Sequence, residues 1–285
     1  MNKPPLLIID VSAVAYAAFH VMGDLSFEGI RTGVVFGMLR TIVDLQELYS
    51  TNRVAFCFDR GSDNRQSISK VYKANRHSDL DEEQRQAYRN LSNQLFRLRT
   101  KLLPMAGFKN LFWQDGYEAD DVIASVCRNV PRGEMGIIVS SDADLLQLLV
   151  DDRVIIWHLK RKSPITAKKF REEWGIDPFM WSDVKAIAGC NGDNVIGVEG
   201  VGEKTAAKFL RGELKETTKA HQAIVLNNNR YRENLKLVRL PFEGTKKFEV
   251  VEDEVDGHRW EGLCDRLGLK TLRGRFVGYS QQGDQ

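Results

Sequence analysis

The sequence predicts an α/β fold: a mostly parallel sheet with helices on both faces, followed by a helical region. Three observations predict it. Short apolar, β-branched runs recur along the first half of the chain, and stretches with helical spacing separate them. Alternation of this kind builds parallel strands whose crossover helices cover both faces. After about residue 163 the strands cease, and helices separated in places by Gly-rich loops take over.

In chain order, the first strand is expected over residues 6–11, Leu-Leu-Ile-Ile-Asp-Val. It follows a start with one lysine and too short an apolar stretch for a secretion leader. A helix is expected over 32–49, a strand over 53–59, a helix over 88–105 and a strand over 110–113. A helix over 118–129, a strand over 136–140, a short helix over 143–149 and a strand over 153–159 complete the set. Beyond it, 166–174, 179–188, 203–211, 221–227 and 231–240 read as helices, 247–251 as a late strand, and 281–285 as a frayed tail. The expected division is a sheet domain over 1–162 and a helical region over 163–285, with no long linker between them.

The chain has 285 residues, of which 42% are hydrophobic and 28% charged, ordinary values for a globular protein. No apolar run approaches the roughly 18 residues of a membrane span. Cys57, Cys127, Cys190 and Cys264 are far apart and form no C-x-x-C pair, which points away from disulfides and zinc and toward a reducing cytoplasm. The net charge of +2 conceals a segregation. Residues 60–109 hold eleven bases against five acids, 110–152 nine acids against two bases, and 153–240 seventeen bases against ten acids. An acidic middle flanked by basic stretches suits a metal site placed under a polyanion.

The acids fall where strands end. Asp10 closes the first run and Asp59 the second, Glu118, Asp120 and Asp121 open the helix after the third, and Asp142 and Asp144 follow the fourth. In a parallel sheet these positions converge on one edge. Singly, each is as readily a helix cap or a turn residue. Together they would repel one another and raise their own pKa values unless cations sat among them. An all-oxygen ligand set selects hard ions, Mg²⁺ or Mn²⁺. Two such ions about 3.5–4 Å apart form the arrangement that cleaves phosphodiesters. The five histidines are scattered and offer no competing chemistry.

Two further stretches point to a polyanionic partner. Arg65, Lys73 and Arg76 follow Asp59 closely and could reach a scissile phosphate, while Tyr72 could offer a stacking face to a terminal base. A solvated helix face is the plainer reading for Arg85 to Lys101. In Gly197-Val-Glu-Gly-Val-Gly-Glu-Lys-Thr-Ala206, the glycines Gly197, Gly200 and Gly202 precede a helix that carries Lys204, Thr205 and Lys208. Glycine lets backbone N–H groups approach a phosphate, and a helix N-terminus favours the anion. The Walker spacing is absent, and a helix–hairpin–helix grip on a DNA backbone fits better than a plain tight turn.

In their order, these motifs resemble the 5′→3′ exonuclease and flap endonuclease family, which includes the bacteriophage 5′ nucleases and the 5′-nuclease domain of bacterial DNA polymerase I. The residues that carry the resemblance are Ile9-Asp10, Phe58-Asp59, Tyr72-Lys-Ala-Asn-Arg76, Glu118-Ala-Asp-Asp121, Ser141-Asp-Ala-Asp144 and the run from Gly192 to Gly202. The resemblance implies a PIN-like sheet domain, a helical arch over about residues 72–105, and a helix–hairpin–helix-type region that holds duplex DNA, often with a K⁺ ion. It implies one metal on Asp10, Asp59, Glu118 and Asp120, and a second on Asp121, Asp142, Asp144 and the Asp193 region. It places Lys73 and Arg76 at the reacting phosphate.

Two positions depart from the family pattern. Gly189-Cys-Asn-Gly-Asp-Asn194 carries Cys190 where a carboxylate is expected, and a neutral thiol is a poor ligand for Mg²⁺. Val11 stands where the family generally has glycine. The function expected is a structure-selective 5′ nuclease acting on DNA with 5′ flaps or ends, and on RNA primers annealed to DNA. It is expected to work as a monomer without a membrane partner, in the cytoplasm or nucleoid, and as a separate polypeptide in a phage or repair setting. The alternatives are a PIN-type ribonuclease, against which the 197–206 hairpin argues, and a DNA-junction binder with a decayed metal site.

Overall fold

The computed structural model describes residues 3–23, 25–75 and 80–276. Its first half follows the expected alternation. Strand β1 (Leu6–Asp10) leads into α1 (Val11–Met22), then a small hairpin of β2 (Ser26–Phe27) and β3 (Ile30–Arg31), α2 (Gly33–Tyr49) and β4 (Val54–Cys57). Next come α3 (Asp63–Ile68), α4 (Glu82–Arg97), a π-helical turn (Leu98–Leu102), α5 (Leu103–Ala106) and β5 (Leu111–Phe112). Helix α6 (Ala119–Asn129), β6 (Gly136–Ser140), a 3₁₀ turn (Ala143–Leu148), β7 (Val154–His158) and β8 (Ser163–Ile165) close the sheet. The helical part holds α7 (Ala167–Trp174), α8 (Trp181–Ala188), the hairpin strands β9 (Gly189–Cys190) and β10 (Val195–Ile196), α9 (Glu203–Leu210), α10 (Lys219–Leu226), α11 (Asn228–Val238) and α12 (Gly257–Leu267).

The six-stranded sheet runs β5-β4-β1-β6-β7-β8, parallel except for the antiparallel β8 at one edge. Edge position is what allows Pro164, which cannot donate to a ladder, to stand in a strand. Alternation along β1 divides the core. Leu7 and Ile9 pack with α1, α2, α5 and α12 on one face, and Leu6 and Ile8 pack with α6 and α8 on the other. The second cluster runs without a break from β1 and β6 into Trp181, Val184, Ala206 and Ile224 of the helical part. The change of pattern near residue 163 is therefore not a gap in packing. The chain also returns: Trp260 and Leu263 of α12 pack on the α5 side of the sheet.

The differences from expectation have local causes. Helix α1 begins directly after Asp10, and Val11, read as strand, is its buried first residue. Helix α4 begins six residues before the expected start of 88 because Asp81 and Gln84 form a capping box. The expected strand at 247–251 joins no ladder. The Asn110 side chain takes the place of backbone there, donating to the Val251 carbonyl at 2.9 Å and accepting from its N–H at 2.8 Å. Residues 281–285 lie outside the described residues.

Candidate active site

The carboxyl ends of β1, β4 and β6 lie side by side, so Asp10, Asp59 and Asp142 reach one edge of the sheet. Asp10 caps α1: its Oδ1 accepts from the Ala13 N–H at 3.0 Å, and its Oδ2 accepts from the Ser140 hydroxyl at 2.7 Å. Asp59 accepts from the Ala119 N–H at 2.9 Å and from the Ser12 hydroxyl. Asp142 caps the 3₁₀ turn and accepts from the Asp144 N–H at 2.8 Å. Each acid is thus held by backbone at a strand-to-helix junction, and Ser12 and Ser140 orient two of them. Sequence reasoning passed over both serines, although one lies two residues after Asp10 and the other two residues before Asp142.

Electrostatics show which acids face one another. Burial pushes the Asp10 carboxyl up to about 7, and the charges of Asp59 and Asp142 push in the same direction. Asp120 is raised well above the carboxylate range by burial and then by Asp142 and Asp10. Asp144 is raised by burial and by Asp142. Carboxylates that raise one another in this way are short of positive charge. A dication among Asp10, Asp59, Asp120 and Asp142 would supply it, and their all-oxygen chemistry fits a hard ion. Among the described residues, no three His, Cys, Asp or Glu side chains are gathered closely enough to hold an ion as they stand.

Other expected site residues are differently placed. Asp121 is fully buried, with both oxygens on the Arg65 guanidinium at 2.5 and 2.8 Å, and it also accepts from the Phe242 N–H at 2.8 Å. Its expected place is beside a second metal; here both of its oxygens are turned to Arg65. Arg65 is 2% exposed and donates through Nε to the Leu237 carbonyl at 2.8 Å, so it is an internal tie rather than a phosphate contact. Tyr72 is 3% exposed and donates to Glu118 at 3.0 Å, which withdraws its ring from any stacking role. Glu118 also receives Lys73 and lies 3.3 Å from Arg65, so its charge is already matched by bases. Lys73 has a positive φ of 53°. Its N–H donates to the Asp193 carbonyl at 3.0 Å, and its ammonium stands 3.8 Å from the Asp193 carboxylate. Arg76 lies outside the described residues.

Around Asp144 the cast changes. Lys185 of α8, which sequence reasoning missed for want of any motif, bonds Asp144 at 3.0 Å and Glu203 at 3.1 Å. Cys190 lies nearby, its thiol pushed up to about 12 by burial and then by Asp144. These groups line a hollow of about 380 Å³ with Asp142 and Asp193. On the other side of Asp59, a cleft of about 840 Å³ opens between α1 and α4, lined by Ser12, Tyr16, Arg60, Tyr88, Arg89 and Arg99.

The glycine loop is built for close backbone approach. A side chain on Gly197 would stand 2.1 Å from the Ala188 carbonyl oxygen, and Gly200 has a φ of +73°. Gly202 caps α9, Lys204 and Lys208 are exposed on that helix, and Thr205 is half-buried.

Comparison with known proteins decides the family. Residues 5–175 match the family model described as 5′-3′ exonuclease, N-terminal resolvase-like domain. The chain belongs to the 5′-3′ exonuclease family. Membership makes it a nuclease working in the 5′→3′ direction. It is 32% identical over 217 residues to a 5′-3′ exonuclease of Buchnera aphidicola, covering 74% of this chain and 71% of that one. It is 29% identical over 299 residues to DNA polymerase I of Mycobacterium leprae, covering 96% of this chain but only 31% of the polymerase. Among solved structures, bacteriophage T5 5′-exonuclease with bound zinc superposes with a TM-score of 0.70 at 24% identity, covering 83% of this chain and 90% of that one. The catalytic core of Rad2 with a DNA substrate superposes at 0.56 and 13% identity, covering 93% and 88%, and shares the PIN-like fold.

Proposed function

We propose that this 5′-3′ exonuclease family member hydrolyses phosphodiesters next to the point where a 5′ single strand meets duplex DNA. The observation that carries the proposal is the convergence of Asp10, Asp59, Asp120 and Asp142 at one sheet edge, between an arginine-lined cleft and a lysine-bearing helix N-terminus. These four acids would hold a divalent ion, Mg²⁺ or Mn²⁺, which supplies Lewis-acid stabilisation of phosphoryl charge and lowers the pKa of water. The residues that fit a second ion are fewer, since Cys190 is a neutral thiol and Asp144 carries Lys185.

In this reading the protein's own groups do the positioning. Lys204, Lys208 and the N–H groups at the start of α9 grip duplex phosphates without reading sequence, helped by a K⁺ ion in the hairpin. The single strand enters the cleft between α1 and α4, where Arg60, Arg89 and Arg99 meet its phosphates, and Tyr16 and Tyr88 offer ring faces to its bases. Lys73, which bonds Glu118, is the base assigned to the scissile phosphate, together with Arg76 of the same sequence motif. Ser12 and Ser140 keep Asp59 and Asp10 turned into the site. RNA annealed to DNA is a further substrate, a single chain the working unit, and the bacterial cytoplasm or nucleoid the setting.

The test is cleavage of end-labelled 5′-flap, blunt duplex and RNA–DNA substrates in Mg²⁺, beside an Asp142→Ala control. Mg²⁺-dependent cuts near the 5′ junction, lost in the control, are expected. Binding without cleavage would favour a junction binder, a reading that only the Cys190–Lys185 corner recommends. Cleavage of single-stranded RNA alone would favour a ribonuclease.

A further inference from the structure

Resting on the nuclease reading above, we propose that the Lys185 ammonium takes the place of a second divalent ion, so that the acidic centre holds a single ion, on its Asp10 side. Three observations meet at one hollow. Lys185 is not a loose surface lysine: its side chain is 12% exposed, and its ammonium bonds both Asp144 at 3.0 Å and Glu203 at 3.1 Å. It also lies 5.8 Å from the Trp181 ring, a third favourable contact for the same charge. Asp144 is therefore already neutralised by a residue of the chain.

The other ligands a second ion would need are likewise committed or unsuitable. Asp193 has Lys73 at 3.8 Å from its carboxylate, and its carbonyl accepts the Lys73 N–H at 3.0 Å. Cys190 presents sulfur where a carboxylate oxygen is expected, and it lines the same hollow as Asp144 and Lys185. A soft sulfur donor offers little to a hard ion such as Mg²⁺. Asp142 is left, and it faces Asp10 and Asp120. A dication beside Asp144 would also stand next to the ammonium, which repels it and already occupies both Asp144 and Glu203. The Cys190 and Lys185 features thus belong together: where one acid is missing, one monovalent cation suffices.

The test is Mn²⁺ binding to the DNA-free protein, followed by titration calorimetry and by the electron paramagnetic resonance of bound Mn²⁺. Wild type is expected to bind one ion with an isolated-ion spectrum. The double variant Lys185→Met/Cys190→Asp, with its fold checked by melting, is expected to bind a second ion and to show the line broadening of a coupled pair. Two ions on wild type with affinities within tenfold would overturn the proposal whatever the variant does, as would a folded double variant that still binds one. Cleavage of flap DNA by a protein holding two ions would sink this inference alone. Neither ion binding nor cleavage would sink it together with the nuclease reading.

Discussion

Arg65 and Asp121 offer the sharpest test, because the sequence and the structure give Arg65 different work. Read from the sequence, Arg65 lies near Asp59 and reaches a phosphate, so Arg65→Met would weaken DNA binding and leave stability alone. In the structure Arg65 makes two bonds to a fully buried carboxylate and one to the Leu237 carbonyl. Removing one partner of a buried pair leaves an unmatched charge and costs about 3–5 kcal/mol. A domain of this size loses roughly 2–4 °C per kcal/mol, so the melting temperature should fall by roughly 6–20 °C. Arg65→Met/Asp121→Leu removes both charges and should recover part of that loss, since the single effects are not additive across a contact. The assay is urea or thermal unfolding of the three proteins, with DNA affinity measured well below the transition. An Arg65→Met protein that melts with wild type but has lost DNA binding would refute the reasoning.

Three further outcomes are expected. Because the Asp10 carboxyl is raised to about 7 in the folded, metal-free protein, folding takes up protons on it, and its contribution to stability, present at low pH, is lost as pH rises from about 4 through 7. Asp10→Asn in chelator should therefore melt higher than wild type at pH 8, by a smaller margin at pH 5, and level with it near pH 4; equal melting at pH 8 would contradict the charge assignment. Lys204→Ala and Lys208→Ala should each weaken DNA binding and lower the salt slope by about 1, with no change in melting, read by fluorescence anisotropy across a salt series. Gly197→Ala drives a methyl group into the Ala188 carbonyl, and calorimetric melting should show a loss of about 1–3 kcal/mol together with weaker duplex binding.

Much of the frame was legible because it rests on local signals. Strand runs end in acids, and an open parallel sheet carries such ends to one edge, so Asp10, Asp59 and Asp142 could be placed together from spacing alone. What escaped notice depends on contacts across long stretches of chain. Nothing near Asp121 in sequence announces Arg65 as its partner, 56 residues away. Tyr72 looks like a surface aromatic until Glu118 is seen to accept its hydroxyl. Lys185 sits in a helix with no motif around it, and only the folding of α8 against the 3₁₀ turn brings it to Asp144. Helix α1 was hidden because its first residue continues the apolar run of β1.

The core that runs unbroken from β1 and β6 into α8 and α9 has a consequence for where this enzyme cuts. The N-terminal end of α9 and the carboxylates of the sheet are fixed to the same packed interior, with Arg65 pinned to the Leu237 carbonyl as a cross-brace. The interval between them is set by the fold, as on a caliper whose jaws do not slide. On the proposed reading, a duplex seated on one jaw would present the same phosphate to the other whatever its bases, and the position of the cut would be a length measured by the protein.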